Sequence, residues 1–405
     1  MKTTVSPSSI APILRGLILS EASFSCMVKV RAEDQPCPKE SLRFVADGIL
    51  PNAEIDDGEL AAALKKALSP HEAQNIRNQL RSGDTCVDIV TTNGATIAQY
   101  HLVPLEPLDR RYRTAIQAPG DESLLASAAR ASVVRGKIAF VTGGAQGFGA
   151  EIARGLAQSG AVVWIADINL PAARSFAQKL AAETDSPAVF AVDIDVSSET
   201  SVQRAFETVA QTTGGLDLVV SNAGILKAGS ILDQPVGDFR LVNEVNYTGF
   251  FNVAQHAARL LRLQWLGAPD WHTDIIQINS KSGLEGSNKN GAYAGSKFGG
   301  IGLVQSFALE LVEYRIKVNA VCPGNFFDGP LWSDPQRGLF VQYLNSGKVP
   351  GAKTVEDVRA YYEAKVPMRR GCYGPDVLKA IYYLVEQAYE TGQALPVTGG
   401  QVMLN

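Results

Sequence analysis

The chain has 405 residues, 46% of them hydrophobic and 19% charged, and its formal net charge is −4 at pH 7. This is a globular composition with ample material for a core, and the length predicts two or three domains. Because the chain is slightly acidic and carries no long basic run, we expect no nucleic-acid partner.

The cysteines and histidines show no disulfide or metal-binding pattern. The five cysteines are scattered, odd in number and without C-x-x-C spacing, which disfavours a disulfide framework and a structural zinc site. None of the four histidines is paired with another at metal-ligand spacing. We therefore expect no metal.

The amino-terminal segment raises the question of targeting. Residues 10–19 are apolar, but Arg15 interrupts them and no small-residue cleavage site follows cleanly. We interpret the segment as an amphipathic helix rather than a signal peptide. No run approaches the ~18 apolar residues needed to span a bilayer, so we expect a cytoplasmic protein with no membrane partner.

Residues 1–130 are predicted to form a small α+β extension. Asn93-Gly94 between two strands is a strong signal for a tight hairpin turn. The expected helices and strands cover residues 10–24, 58–68, 71–82, 86–90 and 95–102. The extension holds no catalytic constellation, so we interpret it as a packing or assembly element whose role stays open.

A domain boundary is predicted between residues 120 and 136, after a proline-containing linker and a short helix or tether. From Gly136 onward, apolar strands alternate with amphipathic helices. This alternation predicts an α/β domain over residues 131–405, a doubly wound, Rossmann-like parallel sheet covered on both faces. Such sheets bind ligands outside the carboxyl ends of their strands.

The first strand of this domain runs through a glycine-rich turn, TGGAQGFG at residues 142–149, directly into a helix. Glycines permit a tight turn and a close approach of the backbone to a ligand. The amino terminus of the helix offers unpaired N–H groups and a partial positive charge to a pyrophosphate. We therefore predict dinucleotide binding by Gly143, Gln146, Gly147, Phe148 and Gly149.

Asp167 ends the second strand of the domain. A carboxylate there accepts both hydroxyls of an adenosine ribose and repels a 2′-phosphate. Because no arginine or lysine follows immediately, the sequence favours NAD over NADP. The alternative reading of Asp167 is a helix cap.

The ends of the third and fourth strands add further cofactor candidates. Asp195 and Val196 close the third strand, where a carboxylate would meet the adenine amino group. Asn222, Ala223 and Gly224 close the fourth, where small side chains would let the cofactor ribose lie against the sheet edge. Each signal is weak alone, since turn residues are common at strand ends.

Ser280, Tyr293 and Lys297 form the candidate catalytic set. Tyr293 and Lys297 lie four residues apart, so they share one face of a helix. An ammonium beside a phenol favours the phenolate and lowers the tyrosine pKa, which would let Tyr293 act as an acid or base near neutral pH. Ser280 would hydrogen-bond a substrate oxygen. The alternative is an ordinary amphipathic surface helix.

Together these motifs resemble the short-chain dehydrogenase/reductase family over residues 137–405. Within it, the chain is most similar to the sorbitol-6-phosphate 2-dehydrogenase subgroup, through the stretches IIQINSKSG, KFGGIGLVQSFALEL, KVPMRRGC and TGQALPVTGGQVM. Residues 1–130 lie outside the resemblance.

The resemblance implies a mechanism. Tyr293 would take the proton from the reacting hydroxyl, and Lys297 would depress the pKa of Tyr293 and hold the nicotinamide ribose. Ser280 would stabilise the oxyanion. Asn246 would hold a water that links Lys297 to solvent. NAD would carry the hydride, with the further cofactor contacts at Pro323 and Gly324.

One position departs from the family pattern. Family members often place a threonine four residues after the glycine of the Pro-Gly pair, where it touches the nicotinamide amide. Here that position is Asp328. The departure bears on cofactor affinity more than on reaction class.

The resemblance further implies oxidation of sorbitol 6-phosphate at C2 to fructose 6-phosphate. Another polyol or secondary alcohol, and a nicotinamide-sensing binding protein, are the alternatives. A sugar phosphate needs cationic partners for its dianion, and the candidates are Lys281, Lys289, Arg369 and Arg370. The alternative interpretation of each of these residues is a solvated surface charge.

Two expectations concern the rest of the molecule. Residues 327–371 would form a helical lid over the substrate, with prolines and glycines at its edges. The resemblance suggests a homotetramer, with residues 293–314 and 361–405 near its interfaces.

Overall fold

The computed structural model describes residues 1–19, 24–32, 41–107, 132–184, 186, 188–336, 338–345 and 347–403. Its largest layer is a seven-stranded sheet in the order β13-β12-β11-β10-β7-β8-β9. All its neighbouring strands are parallel. The strands are β7 (Ile138–Thr142), β8 (Val162–Asp167), β9 (Val189–Asp193), β10 (Leu218–Ser221), β11 (Thr273–Ile278), β12 (Ile316–Pro323) and β13 (Ala394–Val397). The predicted doubly wound α/β fold is confirmed.

Helices cover both faces of this sheet, which is why its central strands are apolar along their whole length. Every residue of β7, β8, β10, β11 and β12 is buried. One face packs against α6 (Glu199–Thr213), α8 (Gly249–Gly267) and α9 (Gly291–Leu311). The other face packs against α4 (Gly147–Gln158), α5 (Leu170–Glu183) and α13 (Gly374–Glu386).

The remaining elements of this domain lie toward the carboxyl edge of the sheet or connect it. Helix α7 (Val236–Asn243) runs through a π-helical turn (Glu244–Thr248) into α8. Three short helices follow β12 within the region predicted to form a lid, and the role of that region stays a prediction. They are α10 (Pro330–Ser333), α11 (Leu339–Asn345) and α12 (Val355–Ala364).

The first 107 residues, here called the N-terminal unit, contain a four-stranded sheet in the order β2-β6-β5-β3 and a two-stranded pair, β1-β4. Its strands are β1 (Lys2–Thr4), β2 (Phe24–Val30), β3 (Leu42–Val45), β4 (Glu54–Asp56), β5 (Thr85–Val90) and β6 (Thr96–Pro107). Its helices are α1 (Pro7–Leu19), α2 (Asp57–Ala67) and α3 (Pro70–Leu80). The predicted small α+β unit is therefore confirmed.

Local predictions within the N-terminal unit have a mixed outcome. Strands β5 and β6 pair antiparallel around Gly94, whose φ of 85° suits the predicted hairpin turn. The predicted helix over residues 10–24 is wrong at its end. Phe24 begins β2, because pairing with β6 outweighs the local helical pattern there. The predicted boundary between residues 120 and 136 falls largely outside the described residues.

The N-terminal unit docks on the α/β domain through a close helix crossing. A Cβ added to Gly16 of α1 would lie 2.2 Å from the Gln264 carbonyl oxygen of α8, and one added to Gly267 would lie 2.4 Å from the Ile13 carbonyl oxygen. Only glycine lets two backbones approach this closely. Leu263 and Leu266 of α8 pack into the core of the N-terminal unit.

A buried ion pair reinforces this contact. Nη2 of Arg15 lies 2.8 Å from Oδ2 of Asp217, and both side chains are 0% exposed. Nη1 of Arg15 also donates to Gln264, at 2.6 Å. Asp217 directly precedes β10, so the N-terminal unit sits at the amino edge of the sheet, opposite the edge where parallel sheets bind ligands.

Three expectations from composition can be compared with the structure. Cys86 is disulfide-bonded, so not every cysteine is a free thiol, whereas Cys26, Cys322 and Cys372 are free. Among the described residues, no group of His, Cys, Asp and Glu is arranged to hold a metal ion. The helices described are all too short or too polar to cross a bilayer.

Candidate active site

The glycine turn lies at the carboxyl end of β7 and requires its glycines. Gly143 and Gly147 have φ values of 60° and 57°, which other residues rarely adopt. A Cβ on Gly149 would lie 2.0 Å from the Gly143 carbonyl oxygen. Gln146 precedes α4 without making a capping side-chain hydrogen bond, so the first N–H groups of α4 remain open to an anion. Phe148 stacks on Phe326, with ring centroids 4.5 Å apart.

Thr142 joins the glycine turn to the end of β10. Its hydroxyl oxygen accepts the backbone N–H groups of Asn222 and Ala223, each at 3.0 Å. The Asn222 amide donates back to the carbonyl oxygens of Thr142 and Gly143, at 3.0 and 3.1 Å. The predicted cofactor residues of two separate segments are therefore brought together. Thr142 itself was not predicted as a site residue, although its place at the strand end was visible in the sequence.

Asp167 also braces the glycine turn. Its Oδ2 accepts the Ala145 N–H at 3.0 Å and its Oδ1 accepts the Asn169 N–H at 2.9 Å. The cap of α5 is Asn169, whose side chain accepts from Ala172, so the alternative reading of Asp167 as the cap is wrong. An ionised carboxylate has about four acceptor sites, so Asp167 retains capacity for ribose hydroxyls.

The end of β9 is ordered by its own side chains. Oδ1 of Asp195 accepts the N–H and the hydroxyl of Ser197, at 3.0 and 2.6 Å. Val196 is buried against Gly249, where an added Cβ would lie 2.8 Å from the valine side chain. These residues stand at the same carboxyl edge as Asp167, which pairs with Asp193 in the sheet.

Ser280, Tyr293 and Lys297 meet at this edge. Ser280 caps a 3₁₀ turn after β11, and its hydroxyl is close enough to Tyr293, on the first turn of α9, to favour the ionised phenol and lower its pKa. Nζ of Lys297 lies 5.6 Å from the centroid of the Tyr293 ring and donates to the Ile278 carbonyl oxygen at 2.9 Å. The structure therefore brings the predicted serine, tyrosine and lysine into one cluster.

The electrostatics of this cluster differ from the prediction. Burial raises the pKa of Tyr293 above its ordinary value, and the hydrogen bond from Ser280 opposes that rise only in part. Burial lowers the pKa of Lys297 to about 8, so this side chain is still mostly an ammonium at neutral pH. The prediction that the neighbouring ammonium lowers the pKa of Tyr293 is therefore wrong for this structure, because desolvation of the phenol is the largest effect and raises its pKa.

Asn246 lies in the π-helical turn between α7 and α8 and is buried. Its Oδ1 accepts the Ile225 N–H at 2.8 Å, and its Nδ2 donates to the Ile225 carbonyl oxygen and to Ser296, at 2.9 and 3.1 Å. Asn246 therefore clamps the loop after β10. A Cβ added to Gly224 would lie 3.2 Å from Asn246 Oδ1 and 3.7 Å from Lys297 Nζ, so both side chains border the same glycine.

The segment after β12 contains Asp328, the residue that departs from the family pattern. Gly324 donates to the Val397 carbonyl oxygen at 2.9 Å, which fixes the end of Pro323-Gly324 against β13. The carboxylate of Asp328 forms an ion pair with Arg359 of α12, with 2.7 Å between Oδ1 and Nη2. This pair links the first residues of the predicted lid to its helix α12, and local sequence did not indicate the contact.

The four predicted phosphate residues fall into two pairs. Lys281 is half-buried beside Ser280, and Lys289 is exposed in the loop before α9. Arg370 is already paired with Asp376, at 2.6 and 3.0 Å, and Arg369 donates to the Ala364 carbonyl oxygen at 2.7 Å. The structure therefore leaves the lysines as the available cations of this set.

A Rossmann-like sheet with a glycine turn and a Ser/Tyr/Lys cluster at one edge defines a class, the dinucleotide-dependent oxidoreductases. Comparisons with known proteins agree. The family model for short chain dehydrogenase matches residues 137–332. Sorbitol-6-phosphate 2-dehydrogenase of Escherichia coli (strain K12) is 39% identical over 269 residues, which are 66% of this chain and 99% of that protein. Sorbitol dehydrogenase of Cereibacter sphaeroides is 30% identical over 270 residues, 66% of this chain and 98% of that protein.

A solved structure is similar as well. The crystal structure of sorbitol-6-phosphate 2-dehydrogenase SrlD from Erwinia amylovora has 38% sequence identity and a TM-score of 0.60, covering 66% of this chain and 100% of its own. The chain belongs to the short-chain dehydrogenase family. It is an oxidoreductase that acts on CH–OH groups of small molecules with a nicotinamide cofactor.

Proposed function

We propose that this protein oxidises sorbitol 6-phosphate at C2 to fructose 6-phosphate, reversibly and with NAD. The observation that carries the proposal is the clustering of Ser280, Tyr293 and Lys297 at the carboxyl edge of the sheet. It occurs in a chain 39% identical to a sorbitol-6-phosphate 2-dehydrogenase along nearly all of that enzyme's length.

The residues divide the work of the reaction. Tyr293 accepts the proton of the C2 hydroxyl, while Ser280 hydrogen-bonds the same oxygen as it becomes a carbonyl. NAD⁺, when bound, would supply the hydride acceptor for C2 and the positive charge of its nicotinamide ring. Lys297, an ammonium at neutral pH, holds the ribose and favours the phenolate. General acid–base help of this kind is worth about 10²–10⁴ in rate.

The choice of NAD rests on Asp167. Its carboxylate ends β8, is almost buried and would meet the adenosine ribose at the edge of the sheet. A 2′-phosphate there would face a fixed negative charge, and residues 168–170 supply no cation to offset it. We expect turnover with NAD to exceed turnover with NADP.

The test measures formation of NADH or NADPH with sorbitol 6-phosphate and with unphosphorylated sorbitol. We expect activity with the phosphate ester and NAD, and its loss in Tyr293→Phe. Tyr389→Phe serves as the control, because Tyr389 is 99% exposed. Failure with both substrates would overturn the proposal.

A second candidate is an NAD-dependent dehydrogenase of another polyol. The 30% identity to a sorbitol dehydrogenase favours it. A panel of polyols in the same assay separates the two, since this alternative requires faster turnover of an unphosphorylated alcohol. The homotetramer suggested by the family resemblance stays a prediction, to be checked by sedimentation equilibrium.

A further inference from the structure

Four lysines from separate segments lie within electrostatic range of one another, and one of them, Lys281, directly follows Ser280. Burial lowers the pKa of Lys281 and of Lys348, and the ammonium of Lys365 is close enough to lower both further. The charge of Lys289 also acts on Lys348. These four residues are here called the lysine cluster. Lys348 and Lys365 belong to the predicted lid, whereas Lys281 and Lys289 belong to loops that precede the lid in the chain.

The geometry of the lid fixes two of these ammonium groups on an aromatic surface. Nζ of Lys348 lies 3.8 Å from the centroid of Tyr343. Nζ of Lys365 lies 4.3 Å from the centroid of Tyr361 and 5.6 Å from that of Tyr362. The rings of Tyr343 and Tyr362 are themselves 5.4 Å apart. The two lid lysines are therefore neighbours, held by cation–π contacts rather than by carboxylates.

The other two lysines lie close in sequence to the candidate catalytic residues. Lys281 directly follows Ser280 and begins the 3₁₀ turn that this serine caps. Lys289 precedes Asn290, the residue before helix α9, which carries Tyr293 and Lys297. Its backbone is held by a hydrogen bond from the Gly229 N–H to its carbonyl oxygen, at 3.0 Å. Leu226, in the same loop as Gly229, packs against the apolar core of the lid, so Lys289 lies on the side of the domain that faces the lid.

Within the described part of the chain, none of the four lysines forms an ion pair, in contrast with the neighbouring arginines. Arg359 is paired with Asp328 and Glu363, and Arg370 with Asp376. The carboxylate of Glu285 raises the pKa of Lys281 and so offsets part of the repulsion, but the like charges of the cluster still repel one another, which favours an anionic ligand at this point.

We propose that the lysine cluster is an anion subsite that binds the phosphate of the substrate and is completed by the lid. This inference rests on the proposed function, and it adds Lys348 and Lys365 to the cations expected from the sequence. Two of the lysines belong to the lid and two to the loops near Ser280 and Tyr293. A phosphate bound by all four would therefore draw the lid toward those loops. Binding energy from a group remote from C2 would then help to position the reacting carbon.

The experiment uses Lys348→Met and Lys365→Met in the full chain, which keep the apolar stems and touch no reacting atom. We expect each to raise KM for sorbitol 6-phosphate about tenfold or more, since a hydrogen bond to a charged group is lost. Lys353→Met is the matched control, an exposed lid lysine outside the cluster, and should leave KM unchanged. Lys348→Arg should restore most of the affinity.

Inorganic phosphate is the second probe, by calorimetry and as an inhibitor. We expect it to bind the wild type and Lys353→Met alike and to bind Lys348→Met and Lys365→Met at least tenfold more weakly. If sorbitol 6-phosphate is turned over but the cluster variants behave like wild type, this inference fails while the proposed function stands. If sorbitol 6-phosphate is not a substrate, the proposed function fails, and the phosphate measurement alone decides the subsite. In that case, absence of phosphate binding to the wild type would overturn the anion subsite.

Discussion

Replacing Arg15 by methionine removes the cation on which the buried carboxylate of Asp217 depends. The guanidinium donates to both carboxylate oxygens, at 3.2 and 2.8 Å, and neither side chain is exposed. Methionine keeps the apolar length of arginine, so the substitution tests the charge more than the volume. The change leaves Asp217 buried in the docking surface of the N-terminal unit without its main counter-ion.

The expected loss of stability follows from the other partners of Asp217. Breaking a buried ion pair by removing one member costs about 3–5 kcal/mol. The Ile138 N–H and the Trp271 indole each still donate to Asp217 at 2.8 Å, so we expect the lower end, about 3 kcal/mol. For a domain stabilised by roughly 5–15 kcal/mol this is a large share.

Urea unfolding measures this loss. Lys66→Met is the control, because the Lys66–Asp47 pair is 77% and 63% exposed and should change stability by less than about 1 kcal/mol. Adding Asp217→Asn to Arg15→Met should recover part of the loss by removing the stranded charge. A cost of Arg15→Met below about 1 kcal/mol would refute the claim that this pair holds the N-terminal unit in place.

The pH dependence gives an independent check on the same pair. Burial, the largest influence, raises the pKa of Asp217, but Arg15, Lys137 and hydrogen bonds together bring it below its ordinary 3.8. A depressed pKa in the folded state contributes stability above the unfolded pKa and loses it as the pH falls further. We expect the wild type to lose this contribution below about pH 4, and Arg15→Met to lose less there.

Two further predictions concern the active site. Gly149→Ala should lower NAD affinity at least about tenfold and cost about 1–3 kcal/mol, because its Cβ would lie 2.6 Å from Asn222 Nδ2. A Cβ on Gly302 would meet nothing within 4 Å, so Gly302→Ala should instead stabilise α9 by up to about 1 kcal/mol. Calorimetry measures NAD affinity and thermal unfolding measures stability, and equal effects of the two substitutions would contradict this reasoning. Lys297→Met should abolish turnover yet stabilise the protein by about 1–3 kcal/mol at pH 7. Burial lowers the pKa of Lys297 from 10.5 to about 8. The buried charge therefore reduces the free energy of unfolding by its full amount below pH 8, and this reduction disappears as the pH rises toward 10.5. No gain at pH 7, or a larger gain at pH 10 than at pH 7, would count against this reasoning.

The docking of the N-terminal unit also affects how its role can be tested. Deleting residues 1–130 would remove Arg15 from Asp217 and uncover Leu263 and Leu266 of α8. Loss of turnover in such a deletion would follow from lost stability as readily as from a regulatory role. Point variants at Arg15 or Gly16 loosen the contact without exposing that surface, so they separate the two explanations.

The sequence by itself determined the features that depend on local spacing. Apolar strands alternating with amphipathic helices specify the parallel sheet, because both periods follow directly from backbone geometry. The glycine turn before α4 and the four-residue spacing of Tyr293 and Lys297 are local in the same sense. Each can be read within a single strand–turn–helix segment or one turn of helix.

Only the tertiary structure decided which distant segments meet and what burial does to their charges. Arg15 looks in sequence like an interruption of an apolar run, and its partner Asp217 lies 202 residues away. Lys348 and Lys365 can be assigned to a candidate anion site only once folding brings them within electrostatic range of Lys281 and Lys289. The pKa of Tyr293 is raised because packing removes water from its phenol. Spacing along one chain segment cannot encode these effects, since they arise from the surfaces that separate segments present to each other.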